Sequence, residues 1–200
     1  TETTGIDPMR AALVGLSFAT RPRRAFYVPV AHTMGPNLSL DTVRRVLGPV
    51  LADAALPKVG QNLKYDYVVL DRHALPVRGA AFDTMVASYL IDAERSHKLD
   101  NLAHDHLGYR MIPISDVIGK GAKQRSFADV PLELACRYSA EDADITLRLR
   151  EWQAPKLAEA GLGDLFAGLE MPLMEILKEM EETGVALDVP FLSAMSVRLG

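Results

Sequence analysis

Length, composition and charge place the chain among ordinary globular proteins. Its 200 residues suffice for one domain, or for one domain and part of another. The formal net charge of −4 argues against a basic nucleic-acid-binding protein, although it does not exclude a local basic path. The single cysteine excludes an internal disulfide framework and is typical of a reducing compartment, so we expect a cytoplasmic protein. The apolar runs are too short to span a bilayer, so we expect no membrane partner.

The first third of the chain predicts a β-hairpin and a helix. Residues 11–19 and 25–30 are two strand-like runs separated by the turn sequence "TRPRR". Residues 38–53 have apolar side chains at helical spacing, and Ser39 or Asp41 is the candidate N-cap.

Strands and helices then alternate, which predicts a parallel arrangement. Asp83 stands at the end of a short strand and is predicted to cap the helix that follows it. The predicted strands cover residues 57–62 and 79–83, and the predicted helices cover 62–74, 84–92 and 98–108.

The second half predicts mainly helix. Residues 112–131 are predicted to be a loop, and a long helix is predicted from Pro131, bent or broken at Pro155. A last helix is interrupted by Pro172 and ends at Gly184. Together the elements predict an α/β fold with an antiparallel hairpin followed by parallel strands, flanked by helices.

Several acidic residues could carry chemistry. Asn62 and Asp66 are four residues apart and share one helix face, and so do Tyr138 and Asp142. By themselves, Glu2 and Asp66 are better explained as solvated surface residues. The spacing of Tyr138 and Asp142 does not decide between a surface hydrogen bond and a phenol beside a metal-bound water. Two-metal phosphodiester hydrolysis requires carboxylates from separate elements. This chemistry would give Glu2, Asp66 and Asp142 a common function. The basic loop "GKGAKQRSF" is either a flexible surface loop or a phosphate contact.

Four segments together resemble the 3′–5′ exonuclease (proofreading) domain family of bacterial DNA polymerase I, in the DEDD superfamily with Tyr in its third motif. They are "TET", "KVGQNLKYD", "FDTMVASYL" and "RYSAEDADITL". The resemblance implies a ribonuclease H-like mixed sheet, flanked by helices and followed by a helical C-terminal extension. Residues 169–188 are similar to the helix that opens the polymerase thumb. We therefore expect the exonuclease domain at residues 1–162 and the beginning of a polymerase domain at 163–200.

The same resemblance implies a catalytic set of Glu2, Asp66, Tyr138 and Asp142. The three carboxylates would hold two divalent metal ions, Mg²⁺ or Mn²⁺, with Zn²⁺ as an option at one site. Tyr138 would orient the attacking water. Roles in substrate binding would fall on Thr3, Ile6, Gln61, Asn62, Tyr65, Lys120, Lys123 and Arg125.

The first motif of the family is Asp-x-Glu, and Glu2 matches its Glu. The Asp would stand immediately before Thr1, outside these 200 residues. We therefore expect a truncated first strand and a chain that is weak or inactive by itself. The resemblance places the strand leading into Thr1 in the middle of the sheet, between the strands predicted at residues 11–19 and 57–62.

The expected function is proofreading, which is the two-metal hydrolysis of 3′-terminal nucleotides from DNA. The expected partners are a single-stranded 3′ end and the polymerase domain of the same chain, and we expect a monomer. Two alternatives stay open: a ribonuclease D-like exonuclease that acts on RNA, and a catalytically impaired module that supports a polymerase. The presence of Glu2, Asp66, Tyr138 and Asp142 favours an active enzyme over the impaired module.

Overall fold

Two small sheets form the centre of the fold. The computed structural model describes the backbone of residues 1–200 and all side chains except that of Ala122. One sheet is antiparallel and has the order β1 (Glu2–Thr3), β2 (Leu13–Arg21) and β3 (Arg24–Pro29). The other is a parallel pair of β4 (Lys58–Gly60) and β5 (Ala80–Asp83). The hairpin and the parallel strands are therefore both confirmed, as two separately hydrogen-bonded sheets.

Helices surround the two sheets, and most of them lie close to the predicted ranges. Ser39 caps the first helix by accepting a hydrogen bond from the backbone N–H of Thr42. Gly108, in the left-handed conformation, ends the fourth. The helices are α1 (Leu40–Ala52), α2 (Leu63–Arg72), α3 (Thr84–Ile91), α4 (Leu99–Leu107), α5 (Ile114–Ile118), α6 (Leu132–Glu159), α7 (Gly163–Leu165), α8 (Met171–Thr183) and α9 (Val189–Leu199).

The long helix α6 organises the core, because it packs against β2, β3, α3 and α4. Ile145 and Leu149 are fully buried on its inner face. The main apolar cluster also takes in Phe166, Met171 and Met174 from the helical C-terminal part. That part therefore packs against the sheet region, and a domain boundary at residues 162–163 stays a prediction.

Three predicted elements differ from the structure. The segment predicted as a loop, residues 112–131, contains α5 and two short 3₁₀ turns, because Val117 and Phe127 are buried in a core cluster. Pro155 does not break α6, since Gln153 and Leu157 are buried on either side of it. Helix α9 was not predicted, although Asp188 caps it. In the part of the chain that the structure describes, no helix is long and apolar enough to cross a membrane.

Candidate active site

The first turn of α2 carries Asp66, and a carboxylate from β5 fixes this turn. Asp83, which is 1% exposed, accepts hydrogen bonds from the backbone N–H groups of Asn62 at 3.1 Å and Leu63 at 2.6 Å. The same carboxylate accepts two more from the first turn of α3. Asp83 therefore caps two helices at once and ties the end of β5 to the end of β4. The cap on α3 was predicted, and the cap on α2 was missed.

Glu2 is oriented by a contact from α6. It lies on β1 opposite Gly15 of β2, and its Oε1 accepts a hydrogen bond from Ser139 Oγ at 2.8 Å. Ser139 is fully buried on α6, the helix that also bears Asp142. The sequence gives no signal for this contact, because it joins residues 137 positions apart.

Glu2, Asp66 and Asp142 line one cleft of about 1270 Å³. Burial raises the pKa of Asp142 well above its ordinary value, and the charge of Glu2 raises it further. Burial also raises the pKa of Glu2, and Asp66 adds to this shift while the nearby Thr1 ammonium group opposes it. Three acids from β1, α2 and α6 are therefore close enough to repel one another, an arrangement that a bound cation would relieve.

The ammonium group of Thr1 lies among these acids. It donates a hydrogen bond to Asp66 Oδ1 at 2.7 Å, and the Thr1 hydroxyl donates to the same oxygen at 2.6 Å. Burial lowers the pKa of this ammonium group, but the charges of Asp66 and Glu2 outweigh burial, so that its pKa is raised.

The three acids have the right chemistry for a metal ion, but their present arrangement is not that of a metal site. Carboxylate oxygens suit hard divalent cations such as Mg²⁺, which need only a few of them beside water. Among the side chains that the structure describes, however, no three His, Cys, Asp or Glu residues converge as a ready set of metal ligands. Asp66 is instead engaged with Thr1, so metal binding would require this contact to open.

Tyr138 lies one helical turn before Asp142 on α6, and its ring is 6.0 Å from that of Phe127. Burial raises the pKa of Tyr138 above the ordinary phenol value, and the charges of Asp142 and Glu2 raise it further. Tyr138 is therefore neutral near pH 7. Its hydroxyl can orient a water molecule by hydrogen bonding but is a poor general base.

Of the predicted substrate-binding residues, Gln61, Asn62 and Tyr65 line the same cleft as the acids. Thr3 stands beside them, because its hydroxyl shares a 2.5 Å hydrogen bond with that of Tyr65. Tyr65 Oη also donates to the carbonyl oxygen of Gly5 at 2.6 Å. The structure thus groups these four residues around "KVGQNLKYD", the segment that resembles the family's second motif and carries Asp66.

The side-chain amide of Gln61 is already engaged within the protein. Its Oε1 accepts a hydrogen bond from the buried hydroxyl of Thr84 at 2.5 Å, and its Nε2 donates to the carbonyl oxygen of His97 at 2.8 Å. Gln61 therefore links the end of β4 to the α3–α4 connection, a structural role that sequence reasoning missed.

The remaining predicted residues do not line the cleft. Ile6 is 96% exposed, so its side chain has little packing within the protein. Lys120 and Lys123 are exposed near α5, and Arg125 donates two hydrogen bonds to the carbonyl oxygen of Val117. Arg125 thus holds its own loop, and the phosphate-contact role of these three basic residues stays a prediction.

Comparison with known proteins decides the family. Residues 1–157 match the family model described as 3′–5′ exonuclease. The chain belongs to this family. Over its full length it is 43% identical to DNA polymerase I of Pseudomonas aeruginosa and 39% identical to DNA polymerase I of Rhizobium leguminosarum. It spans 23% and 22% of those two proteins, or about a fifth of their length.

Two solved structures illustrate how the fold of this chain recurs in other proteins. The polymerase domain of Pol1 from M. smegmatis, in complex with DNA primer-template and dNTP, matches 94% of the chain with a TM-score of 0.73 and 24% identity, and the match covers 29% of that protein. Brucella melitensis NrnC with bound Mg²⁺ matches 92% of the chain with a TM-score of 0.68 and 19% identity, over 83% of its own length. These likenesses confirm the ribonuclease H-like exonuclease fold.

Proposed function

We propose that this exonuclease domain removes nucleotides from the 3′ end of single-stranded DNA as 5′-monophosphates, the reaction used in proofreading. The observation that carries the proposal is the convergence of Glu2, Asp66 and Asp142 on one cleft from three separate elements. The raised pKa values of Glu2 and Asp142 support it, because acids buried beside one another are typical of cation-dependent active sites.

The three acids would hold two divalent cations, Mg²⁺ or Mn²⁺, with Zn²⁺ as an option at one site. When bound, such ions supply the charge that activates the attacking water and stabilises the departing 3′ oxygen. Ser139 keeps Glu2 in place through its 2.8 Å hydrogen bond. The neutral Tyr138 hydroxyl would orient the water, and Asn62 and Tyr65 would contact the terminal nucleotide from the cleft wall.

We further propose that these 200 residues alone are a weak nuclease. The family's first-motif Asp would stand immediately before Thr1, so one of four carboxylates is not among them. The contact of the Thr1 ammonium group with Asp66 also occupies an oxygen that a metal ion would need. In the longer protein, the domain would act beside the polymerase domain of the same chain, as a cytoplasmic monomer. The relatives named DNA polymerase I support this setting.

The decisive experiment extends the chain by a short strand that ends in Asp just before Thr1. We expect this version to release mononucleotides from a 5′-labelled single-stranded DNA with Mg²⁺ or Mn²⁺, and to stop in EDTA. The matched control carries Asn in place of the added Asp and should be at least about a hundredfold slower, as is typical for loss of one electrostatic contact in an active site. If the Asp version releases no mononucleotides, the proposed function is wrong.

A second comparison tests the third motif and the substrate. In the extended protein, Asp142→Asn should abolish cleavage, whereas Asp144→Asn should leave it nearly unchanged, because Asp144 instead contacts Arg23 and Arg148. Equal activities of the two variants would remove Asp142 from the site. Faster hydrolysis of an RNA than of a DNA oligonucleotide of the same sequence would favour a ribonuclease D-like function.

A further inference from the structure

A pair of aromatic rings, one exposed and one half-buried, lies on the wall of the same cleft. Tyr89 is near the end of α3 and His97 is in the connection to α4, and their ring centroids are 3.5 Å apart with 30° between the planes. Tyr89 remains 53% exposed, although His97 covers part of its ring. Both residues line the cleft that contains Asp66 and Asp142. The roles proposed above for the acids and their neighbours leave this pair without a function.

The pair is held rigidly next to the second motif. Ser88 Oγ shares a 2.8 Å hydrogen bond with Nδ1 of His97, which fixes the orientation of the imidazole ring. The backbone carbonyl of His97 accepts the hydrogen bond from Gln61, which directly precedes Asn62 in the sequence. The rings are therefore fixed relative to the strand end that leads into α2, rather than carried by a freely moving loop.

The chemistry of this surface suits a nucleic-acid base. A ring with an open face, fixed in position, is the type of surface on which single-stranded nucleic acids stack, and such stacking tolerates any base. Lys98 is exposed beside the rings and lines the same cleft, and Arg95 lies nearby in an ion pair with Asp92. Lys98 could therefore contact a phosphate of a strand whose base lies on Tyr89.

We propose that Tyr89 and His97 form a stacking platform for a base of single-stranded DNA, on the 5′ side of the terminal nucleotide. The proposal rests on the proposed function, because it assumes that the 3′ end lies at the three acids. Because Tyr89 and His97 line the same cleft as the acids, a strand that leaves the acids along this cleft would pass them. Since stacking is independent of base identity, the platform would hold any unpaired strand without selecting its sequence.

The test compares Tyr89→Leu with Tyr89→Phe. The probe is a short 5′-fluorescent oligodeoxythymidylate, and its dissociation constant is measured by anisotropy with Ca²⁺ in the buffer. We expect Tyr89→Leu to raise the dissociation constant about tenfold, and Tyr89→Phe to change it less than about twofold, because only the first variant removes the ring. Both variants should melt within a few degrees of the parent, since Tyr89 is half exposed.

Oligonucleotides with a single abasic site at successive positions distinguish base stacking on Tyr89 from a role of Tyr89 in supporting the α3–α4 connection. In the parent protein, one abasic position should weaken binding about as much as Tyr89→Leu does, and in Tyr89→Leu the same abasic position should cause no further loss. The platform is refuted if Tyr89→Leu binds like the parent, or if it weakens binding equally whichever position is abasic. If the protein extended by the strand that ends in Asp neither binds nor degrades the DNA, the proposed function itself fails, which is a different result.

Discussion

Replacing Asp83 by Ala should destabilise the domain more than any ordinary surface change. The substitution removes the acceptor of four backbone hydrogen bonds at the starts of α2 and α3. Loss of one N-cap costs about 1 kcal/mol, and a buried N–H left without a partner adds about 1 kcal/mol. Burial raises the pKa of Asp83 although its four N–H donors oppose the shift. The buried charge is therefore itself unfavourable, and its removal offsets part of the stability that is lost with the caps. The net loss should be about 2–3 kcal/mol, or roughly 4–12 °C in melting temperature.

Urea and thermal unfolding followed by circular dichroism measure this loss. The matched control is Asp41→Ala, which removes an acid from the first turn of α1 where the side chain is 91% exposed. The control should change the free energy of unfolding by less than about 0.5 kcal/mol. Asp83→Asn, which keeps one oxygen acceptor, should fall between the two. If Asp83→Ala and Asp41→Ala unfold with the same free energy, the double cap contributes nothing and our account of how Asp66 is positioned is wrong.

Three further predictions concern stability and use the same unfolding measurements. Asp142→Asn should stabilise the metal-free chain, because burial and the charge of Glu2 both disfavour the charged form of Asp142; a loss of stability would contradict this. Lys178→Met should cost about 1–3 kcal/mol, since Lys178 is 8% exposed and pairs with Asp71 of α2; an unchanged midpoint would show that α8 is held without this pair. Gly15→Ala should destabilise by about 1–3 kcal/mol because the new Cβ would overlap the Tyr27 side chain. Gly48→Ala in α1 should change the free energy of unfolding by less than about 1 kcal/mol, because the higher helix propensity of Ala is offset by its position before Pro49. Equal losses of stability in the two variants would refute the steric argument.

Local patterns predicted most of the helices and both types of strand pairing. Leu63, Tyr67 and Leu70 recur at helical spacing within the predicted helix 62–74, a pattern that predicts a shared core-facing stripe, and all three are buried. Asp66, three residues after Leu63 and four before Leu70, lies at the edge of this face, where it lines the cleft. Such predictions succeed because the helical period decides which side chains share a face, whatever the rest of the chain does.

Contacts between distant segments could not be predicted in this way. The resemblance implied that Gln61 binds substrate, yet its amide bonds Thr84 and His97. The Ser139–Glu2 contact also has no signature in the local sequence. The helix at Val189–Leu199 is a different case, because the Asp188 cap and the Pro in its first turn were readable signals that the prediction did not use.

Asp83 and Asp142 show why burial alone does not identify a functional acid. Burial raises the pKa of both side chains, so desolvation disfavours the charge at both positions. What differs is the balance of their neighbours. Asp83 meets four backbone N–H donors, whereas at Asp142 the charges of Glu2 and Glu141 each outweigh either opposing effect, that of the Thr1 ammonium group or that of the Tyr138 hydroxyl. Neutralising Asp83 should therefore destabilise the fold, and neutralising Asp142 should stabilise it. An acid whose removal strengthens the protein must be retained for another reason, and under the proposed function that reason is the binding of divalent cations in the cleft.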